Sequence, residues 1–200
     1  MTADGYDAPA NKPSRKVYVK RKELALYGRL GRPLLVNIAR SLEHVVQLNA
    51  MRQARAIAEG SALTVPSFVG TVPAPMSLFQ LVRRVARYSN ATTEQFCVGL
   101  LYLDRIVSKK FSDGRRVYMT ENTSHMMVLT ASMLACKFLQ DVALDLQSFA
   151  WIGGVDLHQL RAAEHAMLRL LAFDMLVDAT AVEDYLNAFT HRGLDYKPGT

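Results

Sequence analysis

The chain has 200 residues, 50% of them hydrophobic, and a formal net charge of +6 at pH 7. This length and apolar content suffice for one domain with a core and are too small for two large domains. The apolar tract at residues 126–136 contains Thr130 and Ser132 and is shorter than the roughly 20 residues that cross a bilayer, which excludes a membrane helix there.

The first segment, residues 1–32, mixes Pro, Gly, Ala and charge without a sustained period, which predicts a disordered basic tail. Residues 12–22, KPSRKVYVKRK, contain six basic side chains and no acidic one. Such a run is typical of a nuclear localisation signal, a nucleic-acid contact or a solvated tail. The sequence leaves these three interpretations open.

An N-terminal helix and a linker are predicted over residues 33–75. Pro33 suits the first turn of a helix, and apolar side chains at helical spacing continue from there to about Gly60. This apolar stripe consists of Leu35, Ile38, Leu42 and Val45. Residues 60–75 contain three prolines and two glycines, which predict a linker lying over the surface.

Residues 76–190 show helical periodicity with capping signals, in which a short polar side chain is followed three residues later by Gln or Glu. The signals are Ser77 with Gln80, Thr92 with Gln95, Asp156 with Gln159, and Thr180 with Glu183. Between the second and third signals, residues 122–140 predict a central buried helix, and Gly99 in the helix before it predicts a close crossing. No period-2 run separates these elements, so we predict an all-α domain of five helices. Residues 191–200 form the predicted C-terminal tail.

Lys137 is the single charge within residues 122–140. On the helix that follows Asp156, Glu164 occupies a stripe that is otherwise filled by leucines. Buried charges must find a partner or reach water. One interpretation is that Lys137 reaches solvent from its helix end while Glu164 pairs with Arg161. The other is that Lys137 and Glu164 both belong to a surface that meets another protein.

Patterns typical of catalytic and metal sites are missing from the sequence. The five histidines are scattered, and His158 and His165 stand two helical turns apart, which disfavours a shared metal. There is no GxGxxG, GxxxxGK[ST] or GxSxG motif. We therefore expect a binding protein without catalytic residues, metal or cofactor.

The two cysteines, Cys97 and Cys136, each lie within an apolar helical pattern, without the CxxC spacing of zinc and redox sites. We expect them to be core thiols in a reducing compartment. The chain also begins without the regions of a secretory leader. These features predict an intracellular location, in the nucleus or the cytoplasm.

The order of several motifs over about residues 68–189 resembles that of cyclins. The motifs are PAPMSLFQLVRRVARY (73–88), YLDR (102–105), His125, ACKFLQD (135–141), FAWIGGV (149–155) and AAEHAMLRLLAF (162–173). The chain is most similar to the phosphate-regulating yeast cyclins and to plant and protist cyclins of the P or U type. The resemblance implies a single cyclin box of five helices. It also implies a regulatory subunit that binds and activates a cyclin-dependent serine/threonine kinase, in the cell cycle and cell division or in nutrient and phosphate signalling.

The resemblance also implies roles for particular residues. In cyclins, a Lys and a Glu at these motif positions bond the backbone of the kinase's regulatory helix, which assigns kinase binding to Lys137 and Glu164. The neighbouring apolar contacts of the family match Leu134, Phe138, Leu168, Phe173 and, more loosely, Met175. A structural ion pair is implied between Arg84 on the first helix of the box and Asp104 on the second.

The chain departs from the family's pattern at several positions. Residues 76–81, MSLFQL, do not reproduce the docking motif with which many cell-cycle cyclins recruit substrates. Met126 stands where related cyclins usually have Arg, and Gln140 and Asp141 replace a pair of acids. Few residues follow the last predicted helix, so we expect no second box.

Two rival functions stay open at this stage. One is a nucleic-acid-binding protein of the cyclin fold, which the basic residues suggest and which would bind more weakly as salt rises. The other is a scaffold with a degenerate box that binds a partner without activating it.

Overall fold

The computed structural model describes residues 31–70 and 74–191. Within these residues the protein is α-helical, with no named strand, which confirms the all-α prediction. The helices are α1 Arg32–Ala58, α2 Leu78–Tyr88, α3 Thr93–Ser108, α4 Glu121–Leu139, α5 Leu146–Gly153, α6 Leu157–Leu170 and α7 Ala179–His191. The basic residues 12–22, and most of the two predicted tails, lie outside the described residues.

Helix α1 begins where Pro33 predicted it. Proline is accepted in a first turn because the amide that it lacks would have no partner there. Leu35, Ile38 and Leu42 are buried, as their spacing indicated, whereas Val45 is half-buried. This apolar face attaches α1 mainly to α2.

Two of the predicted capping boxes are complete and are confirmed. The Ser77 hydroxyl accepts a bond from the Gln80 amide while the Gln80 side chain accepts one from the Ser77 amide. Thr92 and Gln95 make the same reciprocal pair at the start of α3. Each pair satisfies amides that the first turn of a helix leaves without partners.

The other two capping signals are only partly correct. Asp156 accepts a bond from the Gln159 amide, but the Gln159 side chain donates to Val69 O instead of returning to the cap. Thr180 lies inside α7 rather than capping it. The carboxylate of Asp178 accepts the Thr180 amide at 3.1 Å, because a carboxylate placed before the first turn reaches the free amides there.

Residues 76–190 contain six helices rather than the predicted five, because the capping signals and apolar periods did not predict α5. This helix is only eight residues long, too short to show a clear apolar period. Asp145 caps its start by accepting the Ser148 amide at 2.8 Å. Gly154 ends it in the left-handed conformation, with φ 64°, which glycine adopts without steric cost.

The core forms around α4, as the sequence predicted. Every residue from Ser124 to Cys136 is buried, and α1, α2, α3, α5 and α6 all pack against this helix. A Cβ atom on Gly99 would lie 3.3 Å from the backbone of Ala131. The predicted close crossing at Gly99 is therefore confirmed, between α3 and α4.

The segment between α1 and α2 is not only a surface linker. A 3-10 turn at Pro66–Phe68 places the ring of Phe68 fully inside the core, against α4 and α6. The Gly70 amide then donates to Asn122 O at 2.9 Å. The prolines predicted a linker over the surface, whereas the chain here forms a turn that carries an aromatic ring into the core.

Two general features bear on the class of protein. Among the described residues, no helix is both long and apolar enough to cross a membrane. Cys97 and Cys136 are buried free thiols, as expected. Burial raises the pKa of Cys97 to about 12 and that of Cys136 to about 11, so both thiols stay protonated and unreactive near neutral pH.

Candidate functional site

Lys137 and Glu164 meet where the end of α4 packs on α6. Lys137 Nζ donates to Glu164 Oε1 at 2.7 Å. The lysine side chain is 33% exposed and the glutamate side chain 16%. Among the described residues, Glu164 forms an ion pair with Lys137 and with no other residue, so the interpretation that pairs it with Arg161 is wrong. Two charges that were unexplained in sequence therefore form one half-buried pair at the surface.

The surroundings of the pair leave bonding capacity unused. An ammonium has three N–H donors and a carboxylate four acceptor positions, but one hydrogen bond joins the two side chains and neither makes another to a described residue. Lys137 also lies in the last turn of α4, where the helix dipole favours a cation. The pair therefore presents free donors and acceptors to any group that approaches from solvent.

Asp145 adds a second negative charge near Lys137. The bonds from Ser148 lower the pKa of the Asp145 carboxyl, and the charge of Lys137 lowers it further. Asp145 thus stays ionised at neutral pH, as the cap of α5. The start of α5 and the end of α4 are in this way electrostatically linked.

The predicted apolar contacts divide into exposed and buried residues. Phe138 is 47% exposed and Phe173 is 66% exposed, a high fraction for side chains of this size. Leu168 and Met175 are half-buried and pack on the core. Leu134, also predicted as a contact residue, is only 4% exposed and faces into the core.

The turn after α6 presents Phe173 in an uncommon backbone conformation. Ala172 and Phe173 both lie in the left-handed region, with φ 53° and 58°, which costs a residue with a side chain roughly 1–2 kcal/mol. The Phe173 amide donates to Leu168 O at 2.8 Å and the Ala172 amide to Arg169 O at 2.9 Å. These bonds hold the turn closed and direct the backbone so that the aromatic ring remains in solvent.

Helix α3 holds the chain that follows α6, a feature that the sequence did not predict. Two polar side chains of α3 and one at its C-cap donate to four backbone carbonyls of residues 170–176. The bonds are Tyr102 Oη to Met175 O (2.8 Å), Arg105 Nη1 to Asp174 O (3.1 Å), Arg105 Nη2 to Leu176 O (2.6 Å) and Lys109 Nζ to Leu170 O (3.0 Å). Burial raises the pKa of Tyr102 and keeps its hydroxyl a donor. The signal was present in YLDR, where Tyr102 and Arg105 lie one turn apart.

The predicted ion pair of Arg84 with Asp104 is wrong. Arg84 instead reaches α5, where Nε donates to Ile152 O at 2.7 Å and Nη2 to Trp151 O at 2.9 Å. Asp104 accepts a long bond, 3.5 Å, from the Ser108 hydroxyl. The free carbonyls at a helix C-terminus carry partial negative charge and suit the two-pronged guanidinium.

His125 completes this arrangement from α4. Its Nε2 lies 2.8 Å from Gly153 O, so Nε2 carries the proton and donates. Burial lowers the pKa of His125, although the bond to Gly153 opposes the shift. Arg84 and His125 together bind three successive carbonyls at the end of α5. The His125 that marked the family resemblance therefore has a structural role.

No group of three metal-binding side chains converges in the part of the chain that the structure describes. The ion pair between α4 and α6 has spare hydrogen-bonding capacity. Exposed Phe138 follows Lys137 in the chain, and exposed Phe173 lies three residues after the end of α6. A polar pair beside exposed aromatic rings is the usual composition of a protein-binding surface. We call the surface formed by Phe138, Lys137, Glu164 and Phe173 the α4–α6 face.

Comparison with known proteins gives consistent matches over most of the chain. The protein-family model described as Cyclin matches residues 33–175. The match therefore begins near the start of α1, earlier than the resemblance over residues 68–189, and ends before α7. Cyclin-P2-1 of Oryza sativa subsp. japonica is 29% identical over 157 residues, which cover 78% of this chain and 70% of the relative. Cyclin-P4-1 of the same plant is 27% identical over 154 residues, or 76% and 71% of the two chains. PHO85 cyclin-7 of Saccharomyces cerevisiae is 25% identical over 128 residues, or 60% and 45%.

Proposed function

Since this chain belongs to the cyclin family, we propose that it binds a cyclin-dependent serine/threonine kinase through the α4–α6 face and activates it. The observation that carries the proposal is the Lys137–Glu164 pair beside exposed Phe138. Phosphoryl transfer is then the kinase's chemistry, and this chain supplies no catalytic group, metal or cofactor. The proposed partner places the chain in the nucleus or the cytoplasm.

The α4–α6 face suits a helix of the kinase. Phe138 and Phe173 supply apolar area that water now contacts, while Lys137 and Glu164 offer a donor and an acceptor to backbone groups at a helix end. Kinases need their regulatory helix inward, because a glutamate on that helix pairs with the lysine that positions the nucleotide phosphates. A partner that binds this arrangement more tightly than the inactive one shifts the kinase towards it.

The rigid presentation of Phe173 supports the same proposal. A left-handed turn and the bonds from α3 fix the backbone around this ring before any partner arrives. Preorganised contact residues lose less conformational entropy on binding. A strained residue that is also exposed is more readily explained by a binding role than by stability of the fold.

The test is a reconstitution with the cyclin-dependent kinases of the source cell. Each purified kinase is mixed with the full chain, and phosphorylation of a serine/threonine peptide is measured with and without it. We expect one or more kinases to gain activity. The double variant Phe138→Ser, Phe173→Ser should lose this effect, and a control that changes two exposed hydrophobic residues of α1, Met51→Ser and Ile57→Ser, should keep it.

The outcomes separate the proposal from its rivals. Binding without activation would identify a scaffold and contradict the activating role. Activation that survives the change of both phenylalanines would place the kinase on another surface. Absence of binding to every kinase, with salt-sensitive binding to DNA in its place, would favour the nucleic-acid-binding alternative.

A further inference from the structure

A second exposed surface, on α2 and α5, is built from aromatic rings and guanidinium groups. Trp151 is 59% exposed and Tyr88 is 41% exposed, and their rings meet edge to face with centroids 5.1 Å apart. Arg84 Cζ lies 5.0 Å from the centre of the Trp151 ring, and Arg87 Cζ lies 5.4 Å from the centre of the Tyr88 ring. Together with Arg83, these residues make what we call the α2–α5 platform.

Hydrogen bonds to three backbone carbonyls of α5 hold the platform in place. Arg84 donates two hydrogen bonds to the carbonyls of Trp151 and Ile152, so the same side chain that stacks on the indole also anchors its backbone. The bond from His125 to Gly153 O fixes the residue that follows these two. The indole is therefore positioned before any ligand binds, which lowers the entropy lost on association.

The charged side chains of the platform are all positive. Helix α2 carries three arginines and no acidic residue, and α5 carries no charged residue at all. Arg83 and Arg87 are exposed and lie one turn apart, opposite the buried face of the helix. Among the described residues, neither guanidinium has an ion-pair partner, so two unneutralised cations stand beside two exposed aromatic rings.

Trp, Tyr and Arg are the residues most enriched among those that dominate binding energy at protein interfaces. Exposed aromatic rings bind apolar side chains, and exposed guanidinium groups bind carboxylates, often with two bonds. We propose that the α2–α5 platform binds an acidic, apolar-containing segment of a partner protein. Its carboxylates bond Arg83 and Arg87, and one of its apolar side chains packs on Trp151.

This inference does not depend on the proposed kinase contact. Asp145, which is near Lys137, caps the start of α5, whereas Trp151 lies six residues further on, about 9 Å along the helix axis. The platform and the α4–α6 face therefore use different helices and different side chains. The partner on the platform is therefore a protein other than the kinase.

Trp151 makes a direct experiment possible because it is the only tryptophan in the chain. The full chain is titrated with a short synthetic peptide of alternating aspartate and leucine, which contains no aromatic residue, and Trp151 emission is followed. We expect Trp151 emission to change with peptide concentration until it saturates. The affinity of the peptide should fall as the salt concentration rises. A lysine–leucine peptide of equal length should cause no saturable change.

Matched variants identify the residues responsible. Arg83→Gln with Arg87→Gln should weaken binding of the acidic peptide by roughly tenfold or more. The control Arg161→Gln with Arg169→Gln removes the same charge from exposed positions on α6 and should bind as the wild type does. Unchanged thermal midpoints would show that all three proteins are folded alike.

The proposal is overturned if the aspartate–leucine peptide produces no saturable change in Trp151 emission. It is equally overturned if both arginine pairs weaken binding to the same extent, since net charge alone would then explain the effect. Arg84 is left unchanged throughout because it anchors α5.

Discussion

Lys137 and Glu164, which are 27 residues apart in the chain, form a 2.7 Å ion pair across α4 and α6 in the unpartnered protein. A kinase that bonds to both side chains must therefore add to this pair or exchange part of it. An exchange of one polar bond for another yields little net free energy. The affinity of the proposed complex should then come mainly from the phenylalanines, and the pair should determine orientation and specificity.

Truncation of the pair tests its role at the interface. Lys137→Ala or Glu164→Ala should weaken kinase association by about 2 kcal/mol, roughly 30-fold in Kd, because the remaining charge becomes buried without a partner in the complex. The free energy of unfolding should fall by less than about 1 kcal/mol, since the pair is partly solvated. Calorimetric titration with the kinase and urea denaturation measure the two effects.

The control for the ion pair is Arg55→Ala. This change breaks the exposed Arg55–Glu59 pair of α1, which has the same 2.7 Å separation, and should leave kinase affinity unchanged. Unaltered affinity in both Lys137→Ala and Glu164→Ala would mean that the Lys137–Glu164 pair only joins α4 to α6 and takes no part in kinase binding.

Phe173→Gly should move stability and binding in opposite directions. Glycine adopts φ 58° without steric cost. The free energy of unfolding should therefore rise by up to about 1 kcal/mol, even though glycine also gives the unfolded chain more conformational freedom. Kinase affinity should fall at least about tenfold, because aromatic residues dominate such interfaces. Denaturation and titration of the same samples give both values.

Ala172→Gly is the matched control for this turn. Ala172 shares the left-handed conformation, with φ 53°, but has no ring to lose. The Ala172→Gly variant should gain stability in the same way and keep full affinity for the kinase. A Phe173→Gly variant that also kept full affinity would remove Phe173 from the proposed contact.

Tyr102→Phe should loosen the turn that carries Phe173. The change removes the 2.8 Å bond to Met175 O and should lower the free energy of unfolding by about 1 kcal/mol. Amides of residues 171–177 should exchange with solvent faster, as hydrogen exchange followed by mass spectrometry would show. Tyr118→Phe, whose hydroxyl bonds to no described residue, should leave the exchange as it is. Equal exchange in both variants would contradict the role assigned to α3.

His125 should make the fold less stable in weak acid. Burial lowers the pKa of His125 in the folded chain below the ordinary value of 6.5. At a pH between the lowered pKa and 6.5, the unfolded chain therefore binds a proton that the folded chain does not. Stability from this group is therefore complete above pH 6.5 and decreases as the pH falls towards the lowered pKa, by at most about 1.4 kcal/mol per pH unit. Urea denaturation from pH 7.5 to pH 5 measures this slope.

Two variants check the assignment to His125. His125→Gln should show a smaller slope over that pH range, whereas His165→Gln, which changes an exposed residue of α6, should keep the wild-type slope. Identical slopes in all three proteins would show that His125 is not the group responsible.

Most helices of this protein follow from patterns that extend over a few residues. Pro33 and the capping boxes at Ser77 and Thr92 depend on side chains that bond backbone within one turn, so they can be identified without a fold. The short helix α5 could not be identified in this way because eight residues contain too few turns for a period to show. Thr180 was misassigned because Asp178, two residues earlier, accepts the amide at the start of the helix.

The sequence by itself therefore determined the helical class, the central position of α4, the family and the residues with unexplained charge. Only the tertiary structure decided how those charges are used: Lys137 bonds Glu164, whereas Arg84 bonds α5 and not Asp104. It also decided that Phe138 is exposed while Leu134, one turn earlier, is buried. The reason is physical, since helix formation depends on neighbours in the chain, whereas the partner of a long side chain depends on the angle and distance at which two helices cross.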